Sequence, residues 1–457
     1  MNFSASAQVI PGFKVSDQDV IVHIDSILII GNMVTRNYIV RREMSFKEGD
    51  SLLSRNLASV IEIARRNIYN TTLFLNVQVS AEKLLENHYK IIVYLKERWF
   101  IFPIPQFQLV ARSFNEWIHV YHGALARVNY GLNFTENNLT GRKDKFKLTF
   151  INGYSQNISA LYNLPYINHK LVAGFSIGGG YGRTRELPYL TNVKNQQVFY
   201  RKDEYITNNW YVNAGYTIRK EIFRKQVFRV RYSVINVPDS IIFLNPNYLN
   251  VNRVQQTIPD ITYQFYYDNA DNILYPLTGH QSRIFINKRG LGWKGGINML
   301  SIFGEYDQYF SSHNKLYMGI SMMGQLKFPF QQSYINQRAL GFDENYLRGL
   351  ELYVIDGVAY SLIKFNVKKR VLKFTLPGIR NSKTYNRIPF TIYAKTYSDL
   401  GYVYSNMSDK SMLNNKFLYS YGFGFDVVTL YDFHLRLEYS FNQLGENGLF
   451  LHNGSGL

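Results

Sequence analysis

Arg348 stands beside Gly349 and between Leu347 and Leu350, late in a chain of 457 residues. The stretch around it, residues 341–357, reads GFDENYLRGLELYVIDG. It is too long and too charged for a tight hairpin turn, and it is rich in Gly, Asp and Glu. A lone Arg next to a Gly, with apolar residues on both sides, suits a loop folded inward. Glycine lets the backbone bend, and the guanidinium offers a rigid fork of donors to a buried carboxylate. A solvated surface loop fits the same residues, and the pattern alone leaves both readings open.

Other residues with chemical potential lack the setting that chemistry needs. Gly174-Phe175-Ser176-Ile177-Gly178 spells G-x-S-x-G. A nucleophile elbow requires a strand, a sharp turn and a helix, whereas Gly178 to Gly180 run on into strand-like sequence. His119 and His122 could touch one metal ion, but no third ligand stands nearby. No glycine-rich phosphate loop precedes a helix. With no catalytic constellation, the expectation is a protein that is not an enzyme and uses no metal and no cofactor.

Composition narrows the class. Aromatic residues make up 16% of the chain, with 37 Tyr and 32 Phe. That is high for a soluble protein and expected where aromatic girdles meet two membrane interfaces. No apolar run is long enough for a transmembrane helix. Cysteine is absent, which excludes a disulfide scaffold and cysteine-based zinc sites. The net charge of +18 admits nucleic-acid binding. The basic residues are spread through alternating segments rather than clustered, so they read as the lining of a polar lumen or as neighbours of acidic lipid or substrate. The expectation is no nucleic-acid partner.

The elements that must position Arg348 are strands. Phe146, Leu148 and Phe150 alternate with Lys145, Lys147 and Thr149. Phe228, Val230, Tyr232 and Val234 alternate with Arg229, Arg231 and Ser233. Near the end, Phe433, Leu435, Leu437, Tyr439 and Phe441 alternate with His434, Arg436, Glu438, Ser440 and Asn442. A sheet with one charged and one apolar face can pack against a second layer or close into a barrel in lipid. Three features favour the barrel: long segments, unusually aromatic apolar faces, and a run of about 350 residues without a helical pattern. The strands number about sixteen, an even count as single-chain bacterial barrels require. The first is placed near 103–112 and the last at 448–457. The Arg348 loop, residues 328–356, joins the eleventh and twelfth.

Before the barrel lies a small α+β module. Val20 to Ile30 reads as a strand, and Thr35 can cap a short helix through Met44. Leu53, Leu57, Val60, Ile61, Ala64 and Ile68 fall at helical spacing behind a cap at Asp50 or Ser51. Two strands follow, Leu73 to Val79 and Tyr89 to Leu95. The expected division is 1–19 as a lead-in resembling a truncated secretory signal (Ala5-Ser6-Ala7), 20–98 as the module and 99–457 as the barrel.

Leu347-Arg348-Gly349-Leu350 resembles the V/I-R-G-F/Y motif of the BamA/TamA family of outer-membrane assembly and translocation barrels, with Leu350 in place of the aromatic. The Gly31-Asn32 turn with Thr35, the Phe46 to Asp50 segment and the Asn70 to Val77 run resemble a single POTRA domain. Asn138 to Gly141 and Asp268 to Gly279 resemble the family's periplasmic turns, and Ser398-Asp399-Leu400-Gly401 resembles the D-x-G segment of its thirteenth strand. The resemblance implies an all-β transmembrane barrel in the bacterial outer membrane behind one periplasmic POTRA-like domain. It implies that Arg348 bonds Asp399 beside Gly401, and that the loop is thereby held inside. The alternative is that Arg348 faces a wet lumen while Asp399 pairs with Lys395. Some relatives add an acid on the twelfth strand. Here Lys364-Phe365-Asn366 has none, which suggests a reduced network. The resemblance also implies a weak seam between the first and last strands, marked by Phe107, Leu109, Leu449 and Leu451.

The implied function is insertion or export of client proteins through the barrel and its lateral seam. The partners would be outer-membrane lipids, extended clients bound at the POTRA-like edge and accessory lipoproteins. An outer-membrane pore for anionic solutes is the alternative.

Overall fold

The computed structural model describes residues 20–110, 122, 124–249, 254–292, 296–342, 345–378, 385–406 and 411–453. The signal-like start, His119 and the tail beyond Asn453 lie outside them. The chain divides into two units, Met1–Arg98 and Trp99–Leu457.

The first unit is a four-stranded sheet with two helices. Strands β1 (Ile21–Ile30) and β4 (His88–Glu97) pair in parallel at its centre, flanked by β2 (Ser51–Leu53) and β3 (Phe74–Leu85) in the order β2-β1-β4-β3. Helix α1 spans Asn37–Arg41 and α2 spans Ser54–Tyr69. Helix α2 buries Leu57, Ile61, Ala64 and Ile68, one face at helical period. The expected caps are absent: neither helix has a side-chain cap. Residues 51–53 are drawn into β2, so α2 starts at Ser54. Ser51 Oγ lies 2.8 Å from His23 Nδ1, and Asp50 Oδ2 accepts from Lys47 N–H at 2.9 Å. The free outer edge of β3 is twelve residues long, whereas that of β2 is three.

The second unit is one sixteen-stranded antiparallel sheet. Its strands are β5 (Ile101–Leu109), β6 (Val128–Asn137), β7 (Lys145–Gly153), β8 (Ser155–Leu164), β9 (Ala173–Thr184), β12 (Thr207–Ile218), β13 (Arg224–Asn236), β14 (Gln255–Ala270), β15 (Gly279–Arg289), β16 (Met299–Ser312), β17 (Leu316–Phe328), β20 (Ala359–Pro377), β21 (Arg387–Tyr404), β22 (Phe417–Val428), β23 (His434–Asn442) and β24 (Asn447–Asn453). Two small hairpins are inserted, β10 (Glu186–Thr191) with β11 (Gln197–Arg201) and β18 (Arg338–Leu340) with β19 (Ile355–Asp356). Among the described residues, the helix-free reading is broken by an α-helix at one place: α3 (Asp239–Leu244) forms in the connection between β13 and β14, where Ile241 packs with Val237, Tyr248 and Leu249. The G-x-S-x-G spelling lies within the continuous strand β9.

Alternation becomes two faces. Phe228, Val230 and Tyr232 are exposed on the outer side of β13, while Val227 and Ser233, which flank this run, are buried. Repeated around the sheet, this makes an apolar aromatic exterior and a polar interior, the division a bilayer imposes. No helix among the described residues is long and apolar enough to cross a membrane, which is silent on strands.

Candidate functional site

The connection between β17 and β20 folds into the barrel. Hairpin β18–β19 forms its neck, and Leu347 and Leu350 enter an apolar core with Leu340, Ile355, Leu362 of β20, Val403 of β21, Leu418 of β22 and Leu413. Leu350 thus fills a cluster of aliphatic side chains, which accounts for an aliphatic residue at that position. Gly349 turns the chain at φ +85°, in the region that favours glycine. Gly401 on β21 serves by its size: a Cβ there would lie 2.7 Å from Leu347 Cδ1.

Arg348 is 1% exposed. Its Nε donates to both oxygens of Asp399, at 3.2 and 3.0 Å, and its Nη2 to Oδ1 at 2.5 Å. Its backbone N–H donates to Asp399 Oδ2 at 3.0 Å, so Asp399 fixes side chain and loop backbone together. The guanidinium carbon stands 4.1 Å from the centre of the Tyr397 ring, and Nη1 lies 3.6 Å from Glu438 Oε1 on β23. Burial works against the Arg348 charge, but Asp399 outweighs it and the guanidinium is held firmly protonated.

The alternative pairing of Asp399 with Lys395 is not what forms. Lys395 Nζ lies 2.6 Å from Asp426 Oδ1 and 2.8 Å from Glu438 Oε1. Lys368 Nζ lies 3.0 Å from Asp426 Oδ2. Six buried charges on β20 to β23 and the loop (Arg348, Asp399, Glu438, Lys395, Asp426 and Lys368) therefore form one connected network. Full pairing is what makes buried charge tolerable. The expectation of a reduced network is corrected: β20 offers no carboxylate, yet Glu438 supplies a second one from β23, because inward side chains two strands apart converge on the same guanidinium.

At one end of the barrel a turn bonds the network, and at the other a separate polar cluster forms. The turn between β14 and β15 crosses the lumen. Its Tyr275 hydroxyl donates to Asp426 Oδ2 at 2.8 Å, its ring packs against Tyr393 and His434, and Asn272 Nδ2 donates to Asp432 Oδ1 at 2.8 Å. At the opposite end, Asn195 at the tip of hairpin β10–β11 donates through Nδ2 to Asn414 Oδ1 at 2.7 Å and Val354 O at 3.1 Å. Its Oδ1 accepts from Ser411 Oγ and Leu413 N–H. Between these closures remains a cavity of about 1000 Å³, lined among others by Arg283, Glu305, Lys364, Tyr346, Arg436 and His452.

The last strand is tied to the same hub. His452 Nδ1 lies 2.7 Å from Glu438 Oε2 and Nε2 lies 3.5 Å from Glu351 Oε1 of the loop. Tyr346 stacks on the His452 ring at 5.0 Å. Burial pushes the Glu351 carboxyl upward. Among the described residues no ladder joins β24 to β5; each pairs on one side only, with β23 and β6. Val110 N–H donates to Arg127 O and Asn137 N–H to Phe100 O, so even-numbered residues of β5 bond β6 and odd-numbered ones face the seam. Phe107 and Leu109 are among the latter, as are Pro103 and Pro105. By the same reasoning from Asn442 N–H to Glu446 O, Leu449 and Leu451 are seam-facing on β24. The Phe107, Leu449 and Leu451 side chains are all exposed.

Residues 22–98 match the POTRA family model, described as a surface antigen variable number repeat. The first unit is a POTRA domain. The whole chain superposes on CdiB from Escherichia coli with a TM-score of 0.51 at 10% identity, covering 99% of this chain and 93% of that one. BamA from Haemophilus ducreyi lacking POTRA domains 1–3 gives 0.49 at 14% identity (95% and 83% covered), and CdiB from Acinetobacter baumannii gives 0.47 at 14% (95% and 73%). No curated protein sequence matches. The chain thus has the fold of that Escherichia coli CdiB structure, with a POTRA domain preceding the barrel strands in the sequence.

Within that architecture, sequence reasoning singled out Arg348, Asp399 and Gly401, which the structure brings together. It left Glu438, Asp426, Tyr275, Asn195 and His452 without roles. Alternation marks Glu438, Asp426 and His452 as inward-facing, which was the available signal. Nothing local marks Tyr275 or Asn195, whose partners Asp426 and Asn414 lie more than 150 residues away. His122 has no metal site around it among the described residues.

Proposed function

We propose that this protein is an outer-membrane barrel that helps insert or export client proteins, with its POTRA domain in the periplasm. The free twelve-residue edge of β3 suits an extended client segment, since main-chain bonds give affinity with little demand on sequence. The seam is the exit. The observation that carries this reading is the pair of unjoined edges on β5 and β24, because an unpaired strand edge is a template for an incoming strand. The hub holds the loop inside and steadies β24 while β5 is left apart. Accessory lipoproteins belong to this reading as further partners of the POTRA domain.

The test uses the absence of cysteine. A thiol pair placed across the seam, Phe107→Cys with Leu449→Cys, is bridged by a short bifunctional reagent in the folded protein. Bridging is expected to stop client assembly in reconstituted vesicles, and cleaving the bridge to restore it. Undiminished assembly through a bridged seam would sink the reading.

The cavity with Arg283, Lys364 and Arg436 favours a second reading, a pore for anionic solutes. Steady anion-selective conductance that Arg348→Ala leaves unchanged would support it.

A further inference from the structure

Strands β20 and β21 are 19 and 18 residues long, about twice the length of β5 to β8. The ladder from β17 to β20 stops at Lys369, and the ladder from β22 to β21 stops at Thr391. Beyond those points β20 and β21 pair only with each other, from Leu372 with Ile392 to Pro377 with Arg387. A two-stranded hairpin therefore projects past β17 by about eight residues and past β22 by about four, or about 27 and 14 Å along the strand at 3.4 Å per residue. It does so at the end where the chain enters the barrel.

Its two faces differ. A register shift between Arg370 and Leu372 changes which side each β20 residue takes. Above the shift, odd-numbered residues such as Ile363 and Phe365 face outward. Below it, Leu372, Phe374 and Leu376 lie on the face of their partners Ile392, Phe390 and Ile388. On β21 the even-numbered residues, with exposed Leu400 and Tyr402, face outward throughout. The bulge thus keeps six large apolar side chains in line with the lipid-facing belt. Phe374 and Phe390 stack at 5.5 Å, and Leu372, Phe374 and Leu376 are exposed. Lys369, Arg370, Lys373 and Arg387 flank this face, the sequence from 369 to 390 contains no Asp or Glu, and none of the four makes an ion pair among the described residues. Tyr385, near the tip, stacks on Tyr431 of the turn between β22 and β23 at 6.3 Å, and Tyr431 accepts from Trp99 N–H at 3.1 Å. The hairpin is thereby braced against the rim beside the first strand.

We infer that the described arms of this hairpin, residues 370–378 and 385–390, form a membrane-contacting element that rests its apolar face in the periplasm-facing leaflet and sets its cations against anionic phospholipid headgroups. The occupant follows from continuity: the face extends a surface that already meets lipid, and the bulge preserves that continuity where an unbroken strand would turn lysine outward. An apolar face bordered by cations with no acids is the pattern of an interfacial element drawn to anionic lipid. The inference rests on the membrane-barrel reading and does not depend on client handling.

Site-directed spin labelling tests it in the full chain. Phe374→Cys and Leu372→Cys are labelled in vesicles of phosphatidylethanolamine with phosphatidylglycerol. Leu400→Cys serves as the lipid reference and Leu84→Cys as the aqueous one. The labels at 372 and 374 are expected to collide with oxygen as at 400 and to be shielded from a water-soluble nickel chelate. With Lys373→Glu and Arg387→Glu added, chelate access at 374 should rise several-fold in these vesicles and change little in vesicles lacking phosphatidylglycerol. Labels that behave as at Leu84, or that are shielded from both probes because protein covers them, overturn the proposal. If the reference at 400 is itself aqueous, the barrel reading fails first.

Discussion

The two edges of the seam are built by opposite means. β24 is tied inward: His452 bonds Glu438, stacks under Tyr346 and faces Glu351, so the loop and the hub hold the strand from inside the lumen. Among the described residues β5 has no such tie to the hub, and its seam edge is blunted. Proline has no N–H, and Pro103 and Pro105 occupy two of the positions whose N–H would point across the seam. β24 contains no proline and keeps every seam-facing donor. The difference teaches that the open seam needs no strain to explain it. One edge is held in place and ready to pair, while the other lacks two of the donors needed to zip onto it. An incoming strand that seeks an edge has more main-chain bonds to gain on β24.

Three changes would break or sharpen this contrast. The largest effect is expected from Glu438→Ala, which leaves Lys395 short of a partner and cuts β24 from the hub. Breaking a buried pair from one side costs about 3–5 kcal/mol. Hydrogen exchange should show β24 losing protection while β5 changes little; equal loss in both strands would mean that the hub does not favour β24. Next is Pro103→Val with Pro105→Val, which returns two donors to the seam edge at about 0.5–1.5 kcal/mol each. The barrel should resist heat better on semi-native gels and, under the function proposed above, assemble clients more slowly. Unchanged heat resistance would argue that the prolines do not keep the seam apart. The smallest is Gly401→Ala, whose methyl group crowds Leu347 Cδ1. Because that end of Leu347 can shift, the cost should be about 1 kcal/mol, read as modestly greater protease access at the loop with no change at β5.

The barrel was legible because its signal repeats: each strand states its two faces in its own residues, and sixteen statements agree. Pairing followed from order along the chain. The capping residues of α2 were misread because Asp50 and Ser51 have other local partners, and a three-residue strand took the place of the cap. Arg348 and Asp399 came through the resemblance, not through spacing. Glu438 was visible as an inward residue and not as a partner, since alternation gives a side and not a distance. The absence of an acid on β20 therefore suggested a smaller network than the one that Glu438 and Asp426 complete. Asn195 and Tyr275 sit in connections, where a single side chain reaches across the lumen and leaves no periodic trace.

The turn that carries Tyr275 has a consequence for the space inside the barrel. It reaches in from one end while the inward loop reaches in from the other, so the lumen is narrowed from both sides and its room is gathered into a cavity of about 1000 Å³ between them.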